Sequence, residues 1–297
     1  MRLFNNTSVP IAKGTNYTDT TNGFDHVDLK LKIKWFIFSY VIVSNLLLIV
    51  GLLRTNRKKK LTTMKKLFVF LSCTDMLTTC LFMIHNYIDE FKNVEIMIGA
   101  ISHVLYLMGC TIFLTISVLR YISVRYPLKR VSNRTVYLTL LVAFILGVFN
   151  GVINFFEERF YIGELGIIFV SWWLLIFSIE MILLTLMSLL SWLYLRRCQH
   201  LSPTSLSKKK YAVKTLTYIT ISYVICNLAL LGCILFQSRL VSSGDEDVRN
   251  ILEYIVGILY SIVLANTGNN AVIYLLRSKD LRAFYWLKIL ACFYKNA

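Results

Sequence analysis

Seven apolar stretches joined by short polar loops, with basic residues crowded into alternate loops, constrain this chain more than any other feature of its sequence. The stretches run Trp35–Leu53, Leu67–Ile88, Ile96–Leu119, Val136–Phe156, Gly166–Leu195, Ala212–Phe236 and Ile251–Leu276. Each approaches or exceeds the ~20 residues that a helix needs to cross ~30 Å of hydrocarbon. Lipid offers no partner to a backbone N–H or C=O, so segments of this length cross as helices that satisfy themselves. The expected fold is an all-α membrane protein, a seven-transmembrane helix bundle. Loops Arg54–Lys66, Arg120–Arg134 and Arg196–Lys214, with the segment after Leu276, hold 23 Lys and Arg and one acid, Asp280. The opposite side holds 9 basic residues and 12 acids. Basic loops resist translocation, which predicts an extracellular amino terminus, a cytoplasmic carboxyl terminus and a multi-pass plasma-membrane protein.

Composition supports the class. The chain is 57% hydrophobic and only 16% charged, whereas a soluble domain is about a quarter charged. A net charge of +16 would suggest nucleic acid in a soluble protein. Here the positive charge lies in loops beside the spans, where anionic inner-leaflet lipid is the expected partner and nucleic acid is not. The organisation expected is an extracellular tail over 1–34, the bundle over 35–276 and a cytoplasmic segment over 277–297. Met1–Lys34 lacks the apolar core of a cleavable signal, so the first span is expected to serve as its own signal. Three N-x-[ST] sequons, at Asn5, Asn6 and Asn16, are expected to be glycosylated in that tail. None of the seven cysteines clearly falls in an outer loop, and most are read as small core residues. After the last span, RSKDLRAFYWLKILACFYK sets aromatic rings against basic residues at helical spacing. That pattern predicts a short interfacial eighth helix, with Cys292 near its end either palmitoylated or a plain thiol.

Inside the spans, Asp75 is the sharpest position, because an ionisable group at membrane depth is costly and usually functional. Asn45, Asn266, Thr267, Asn269 and Asn270 are its candidate partners. Their oxygens form either a hydrogen-bonded network or, with the Asp75 carboxylate, the hard donor set of a sodium ion. Glu180 is the second deep acid and either faces a ligand cavity or is protonated and bonded to a neighbouring helix. His85 and His103 lie near the outer ends of their spans. No HExxH, GxSxG, Gly-rich phosphate loop or Cys/His metal spacing occurs, so no enzyme is expected. The alternative from another class is a membrane transporter or channel.

Four segments in order carry a resemblance: SNLLLIV with Asn45, LSCTDML with Asp75, LRYISVRYPL with Arg120, and NAVIY at Asn270–Tyr274. Together they resemble the rhodopsin-like family of G protein-coupled receptors. The resemblance implies that Arg120, supported by Tyr121, is the inner-face switch for a heterotrimeric G protein. It also implies that Tyr194 and Tyr274 swing beneath Arg120, and that Asn45, Asp75, Asn266 and Asn270 belong to a central polar network. Ser102, His103, Tyr106, Glu180 and Asn227 become the ligand-cavity candidates. The chain departs from the family pattern at Leu119, which replaces an acid, at Asn227, which replaces a tryptophan, and at Ala229 and Ala271, which replace prolines. Glu95 stands where the family usually has a cysteine, and Lys209 where it has a glutamate. With Ser102 in place of an amine-binding aspartate and Leu264 in place of a retinal-linking lysine, a peptide or a lipid is the expected ligand. Acid-rich outer segments such as Glu157-Glu158 suit a basic peptide.

Overall fold

The computed structural model describes residues 23–56, 61–85, 92–126, 132–160, 163–197, 203–242 and 246–286. Helix is the only regular structure among them. In chain order the elements are α1 (Gly23–Thr55), α2 (Thr63–His85), α3 (Lys92–Arg125), α4 (Asn133–Phe160), α5 (Gly163–Arg197), α6 (Pro203–Ser242) and α7 (Glu246–Arg277). A further helical run covers residues 279–286. Among the described residues, six segments are long and apolar enough to cross a membrane: Lys32–Thr55, Thr63–Ile84, Asn93–Arg125, Asn133–Ile153, Ser178–Arg197 and Lys209–Ala229. The protein is therefore a multi-pass, helical membrane protein. The seventh predicted span falls within α7, and several side chains of its first half lie outside the described residues.

Two helices start earlier than the apolar stretches that announce them. α1 begins at Gly23, so the polar run up to Trp35 continues the helix rather than forming a separate tail. That run contains no proline, and hydropathy marks where a helix enters lipid, not where it begins. α6 begins at Pro203 instead of Ala212. A proline at the first helical position has its φ preset and lacks an N–H that would be unpaired there anyway, and Leu206 and Lys208–Lys210 after it are good helix formers.

Each helix packs on its chain neighbours, α7 returns onto α1, and α3 also touches α5 and α6. The apolar core joins Leu48 and Leu52 of α1, Leu67 and Phe68 of α2, Ile112, Phe113 and Ile116 of α3, Leu184 of α5 and Ile219 of α6. Large apolar side chains such as Phe36, Ile145 and Ile182 point outward, as they do where lipid replaces water as solvent. Close helix approach rests on glycine, because packing rather than hydrophobic burial drives helix association in lipid. A Cβ on Gly147 would sit 2.7 Å from the Val104 carbonyl oxygen, and one on Gly151 2.9 Å from that of Ala100. The backbones of α3 and α4 therefore meet directly.

Ser278 separates α7 from the terminal helical run, and the Leu281 N–H donates to the Ser278 hydroxyl at 3.5 Å. Leu281 is buried in the core. The Tyr285 hydroxyl donates to the Leu47 carbonyl. A Cβ on Gly51 would lie 2.8 Å from Leu281, so the run lies against α1. Burial there raises the Tyr285 phenol pKa above its usual value.

Candidate functional site

Three polar clusters occupy the interior of the helical assembly. The first ties α1, α6 and α7 together. The Asn45 amide donates to the carbonyls of Val41, at 3.0 Å, and Thr267, at 3.2 Å. Tyr40 donates to Asn269 at 2.7 Å, Asn269 donates to Ser222 at 3.3 Å, and Ser222 donates to Asn266 at 3.3 Å. Gly268 lets Tyr40 lie against α7, since a Cβ there would be 2.6 Å from the ring. Asp75 is buried beside Gly109 of α3, whose Cβ position is 3.5 Å from Oδ1. Three buried oxygens, Asn45 Oδ1 of α1, Asp75 Oδ2 of α2 and Asn270 Oδ1 of α7, have no hydrogen-bond partner among the described residues. A buried polar atom without a partner is costly. One carboxylate and two amide oxygens are, by their chemistry, donor types that a hard cation such as sodium takes.

The second cluster joins α3, α5 and α6. Tyr106 donates to Asn227 at 3.2 Å, Asn227 donates back to the Tyr223 carbonyl at 2.8 Å, and the Tyr223 hydroxyl donates to Glu180 at 3.2 Å. The Tyr223 ring packs on Phe113 with centroids 5.0 Å apart. Glu180 is thereby bonded to the neighbouring helix α6. Ser102 is buried with its hydroxyl on the Ile98 carbonyl, 2.8 Å away. His103 follows it on α3 and is half-buried.

The third cluster lies at the end of α3 that carries Arg120. Its guanidinium sits 5.6 Å from the Phe68 ring centroid and 5.8 Å from that of Tyr274. Those two rings are themselves 4.1 Å apart. One residue each from α2, α3 and α7 thus forms a cation–aromatic stack, an arrangement that attracts a guanidinium through the ring quadrupole. Tyr121 instead accepts a bond from Arg125 at 2.6 Å. Tyr194 donates to the Arg125 carbonyl at 3.3 Å, and Lys209 lies 5.7 Å from the Tyr194 ring centroid. Arg120 and Lys209 therefore stack on different rings. Leu119 is buried in the core.

The predicted residues thus separate into groups: Asn45 and Asn266 in the first network, with Asp75 and Asn270 contributing unpartnered oxygens; Tyr106, Glu180 and Asn227 in the second; Arg120 with Tyr274 in the third. Asn5, Asn6, Asn16 and Cys292 lie outside the described residues. Cys73, Cys80, Cys110 and Cys226 are free thiols. Several residues of these clusters escape a sequence reading. Tyr40 and Ser222 link α1 to α6 through Asn269, yet a tyrosine near a span end and a serine within one are commonplace. Arg277 donates to Thr215 at 3.3 Å and lies 4.3 Å from the Tyr211 ring centroid, which fastens α7 to α6 near Arg120. Phe68 carries no signal beyond hydrophobicity. No family model matches the chain, and no curated protein matches it.

Proposed function

We propose that the chain is a seven-transmembrane receptor of the rhodopsin-like type, which passes an extracellular signal to a heterotrimeric G protein. In this reading α1 to α7 all cross the plasma membrane with the amino terminus outside, and residues 279–286 begin the interfacial eighth helix. The observation that carries the proposal is the stack of Arg120 on Tyr274 and Phe68. It brings together residues of two segments, LRYISVRYPL and NAVIY, that are far apart in the sequence and that suggest the family independently. The ring contacts of such a stack are worth about 0.5–2 kcal/mol each, a scale that agonist binding energy can match. Agonist contacts around Tyr106, Asn227 and Glu180 would bias the α3–α5–α6 links and so favour a conformer whose inner end of α6 is open. The agonist class is a peptide or a lipid. A sodium ion held by Asp75, Asn45 and Asn270 would supply positive charge that favours the closed conformer.

Purified protein in vesicles with a heterotrimeric G protein tests the reading. It is expected to accelerate guanine-nucleotide exchange above empty vesicles without agonist, because Leu119 and Lys209 stand where family members place restraining acids. Exchange no faster than the empty-vesicle rate, with ion or solute flux through the same vesicles, would establish the transporter or channel alternative.

A further inference from the structure

We propose that the junction of α6 and α7 around Tyr218 is a binding site for an acidic membrane lipid whose head is a phosphomonoester, held by Lys214, Tyr218 and Arg277. Two cations share one ring there. The Arg277 guanidinium lies 5.4 Å from the Tyr218 ring centroid, and the Lys214 ammonium lies 5.9 Å from the same centroid. Arg277 reaches across from the last turn of α7, donates through Nε to Thr215 at 3.3 Å and lies 4.3 Å from the Tyr211 ring centroid. Its position is thereby set, while its two terminal nitrogens donate to nothing among the described residues. Neither cation forms an ion pair among the described residues. Segment Arg196–Lys214 contains no acid, and only Asp280 follows Leu276. An aromatic ring attracts a cation but does not neutralise it, and Arg277 is half-buried, where an unpaired charge is costly. Two such charges at one ring call for an anion from outside these segments.

Charge selects the head. A phosphodiester carries one negative charge and leaves one cation uncompensated, whereas a phosphomonoester carries about −1.5 to −2 at pH 7 and offers three acceptor oxygens. The forked guanidinium, the ammonium and the Tyr218 hydroxyl are donors of the kinds that phosphate oxygens accept. Position selects a lipid over free phosphate. Lys214 lies five residues beyond Lys209, where the apolar span of α6 begins, or about 7.5 Å along the helix. From that depth a long side chain reaches the headgroup layer. Lys214 and Tyr218 are exposed, and further along the span so are Ile221 and Ile225. Successive spacings of four, three and four residues put all four side chains on one face of α6. A phosphate held at the basic end of that face has a hydrocarbon track beside it for its acyl chain.

Full-length protein in phosphatidylcholine vesicles containing a phosphatidic acid with a photoreactive acyl chain tests this, and the label reads lipid contact whether or not the protein activates a G protein. Against a photoreactive phosphatidylcholine as baseline, crosslinks are expected on α6 near Ile221 and Ile225. Lys214→Gln is expected to lower them about fivefold, the scale of one basic residue at a charged membrane surface. Arg277→Gln is expected to lower them at least about tenfold, as the loss of a charge-assisted hydrogen bond implies. Tyr218→Phe keeps the ring, removes only the hydroxyl and is expected to lower them about threefold. Arg277 also fastens α7 to α6, so Lys214→Gln and Tyr218→Phe decide the question alone if Arg277→Gln does not purify as a monodisperse protein. Arg134→Gln, which removes an exposed cation of α4, should leave the labelling unchanged. Unlabelled phosphatidic acid should compete, phosphatidylglycerol with its single charge should compete less well, and inorganic phosphate should not compete. Equal competition by phosphatidylglycerol, equal loss in Lys214→Gln and Arg134→Gln, or crosslinks confined to other helices would overturn the proposal in favour of diffuse attraction to the basic segments. Competition by inorganic phosphate would assign the cations to a soluble anion and equally overturn it.

Discussion

Asp75 is 6% exposed and leaves Oδ2 without a hydrogen-bond partner, as Asn45 and Asn270 leave their amide oxygens. The proposed sodium ion would relieve three orphaned oxygens, each of which costs free energy. Sodium chloride is therefore expected to raise the melting temperature of the detergent-solubilised protein above that in choline chloride. Asp75→Asn should abolish the difference, because the carboxylate supplies the only formal charge among the three donors. Equal melting temperatures of the wild type in the two salts would mean that the oxygens are satisfied without sodium. At this scale much was legible beforehand: an aspartate and several asparagines within apolar stretches announce themselves by their cost. Lys214 and Arg277 did not, because basic residues at span ends are commonplace until the ring they share is known. Tyr40 and Phe68 carried still less, since their meaning lies in what they touch across the bundle.

Among the elements, α3 and α4 make the closest contact. The spacing Gly147-x-x-x-Gly151 places both glycines on one face, and the carbonyls of Val104 and Ala100 occupy the space that a methyl group would need. Gly147→Ala is expected to destabilise the protein by about 1–3 kcal/mol, the usual cost of overpacking, read as a fall in melting temperature. Gly232→Ala is the matched control. Its Cβ would meet only Leu259 at 3.7 Å, and alanine is the better helix former by about 1 kcal/mol, so that variant should be neutral or stabilised. Equal loss in both would show that helix propensity or expression, not the α3–α4 approach, governs the response. The all-helical, multi-pass character was legible from hydropathy, and six segments among the described residues are long and apolar enough to cross on their own. Helix starts at Gly23 and Pro203 were not, since a helix continuing beyond lipid needs no apolar residues.

For the whole molecule, the imbalance of 23 basic residues against 9 fixes the expected orientation. Glycosidase treatment of protein from mammalian membranes should increase its gel mobility, and triple replacement of Asn5, Asn6 and Asn16 by Gln should remove that response. Mobility insensitive to glycosidase, together with an amino-terminal tag shielded on intact cells, would reverse the topology. The central claim is that this assembly engages a G protein through Arg120. The direct measurement is co-purification of a nucleotide-free heterotrimeric G protein with wild-type protein and with Arg120→Leu at matched amounts in vesicles. The wild type is expected to retain the G protein and release it on adding guanosine triphosphate, and Arg120→Leu to retain at least about tenfold less, as loss of a buried charged contact implies. Failure of the wild type to retain any G protein, or equal retention by the variant, would contradict the account.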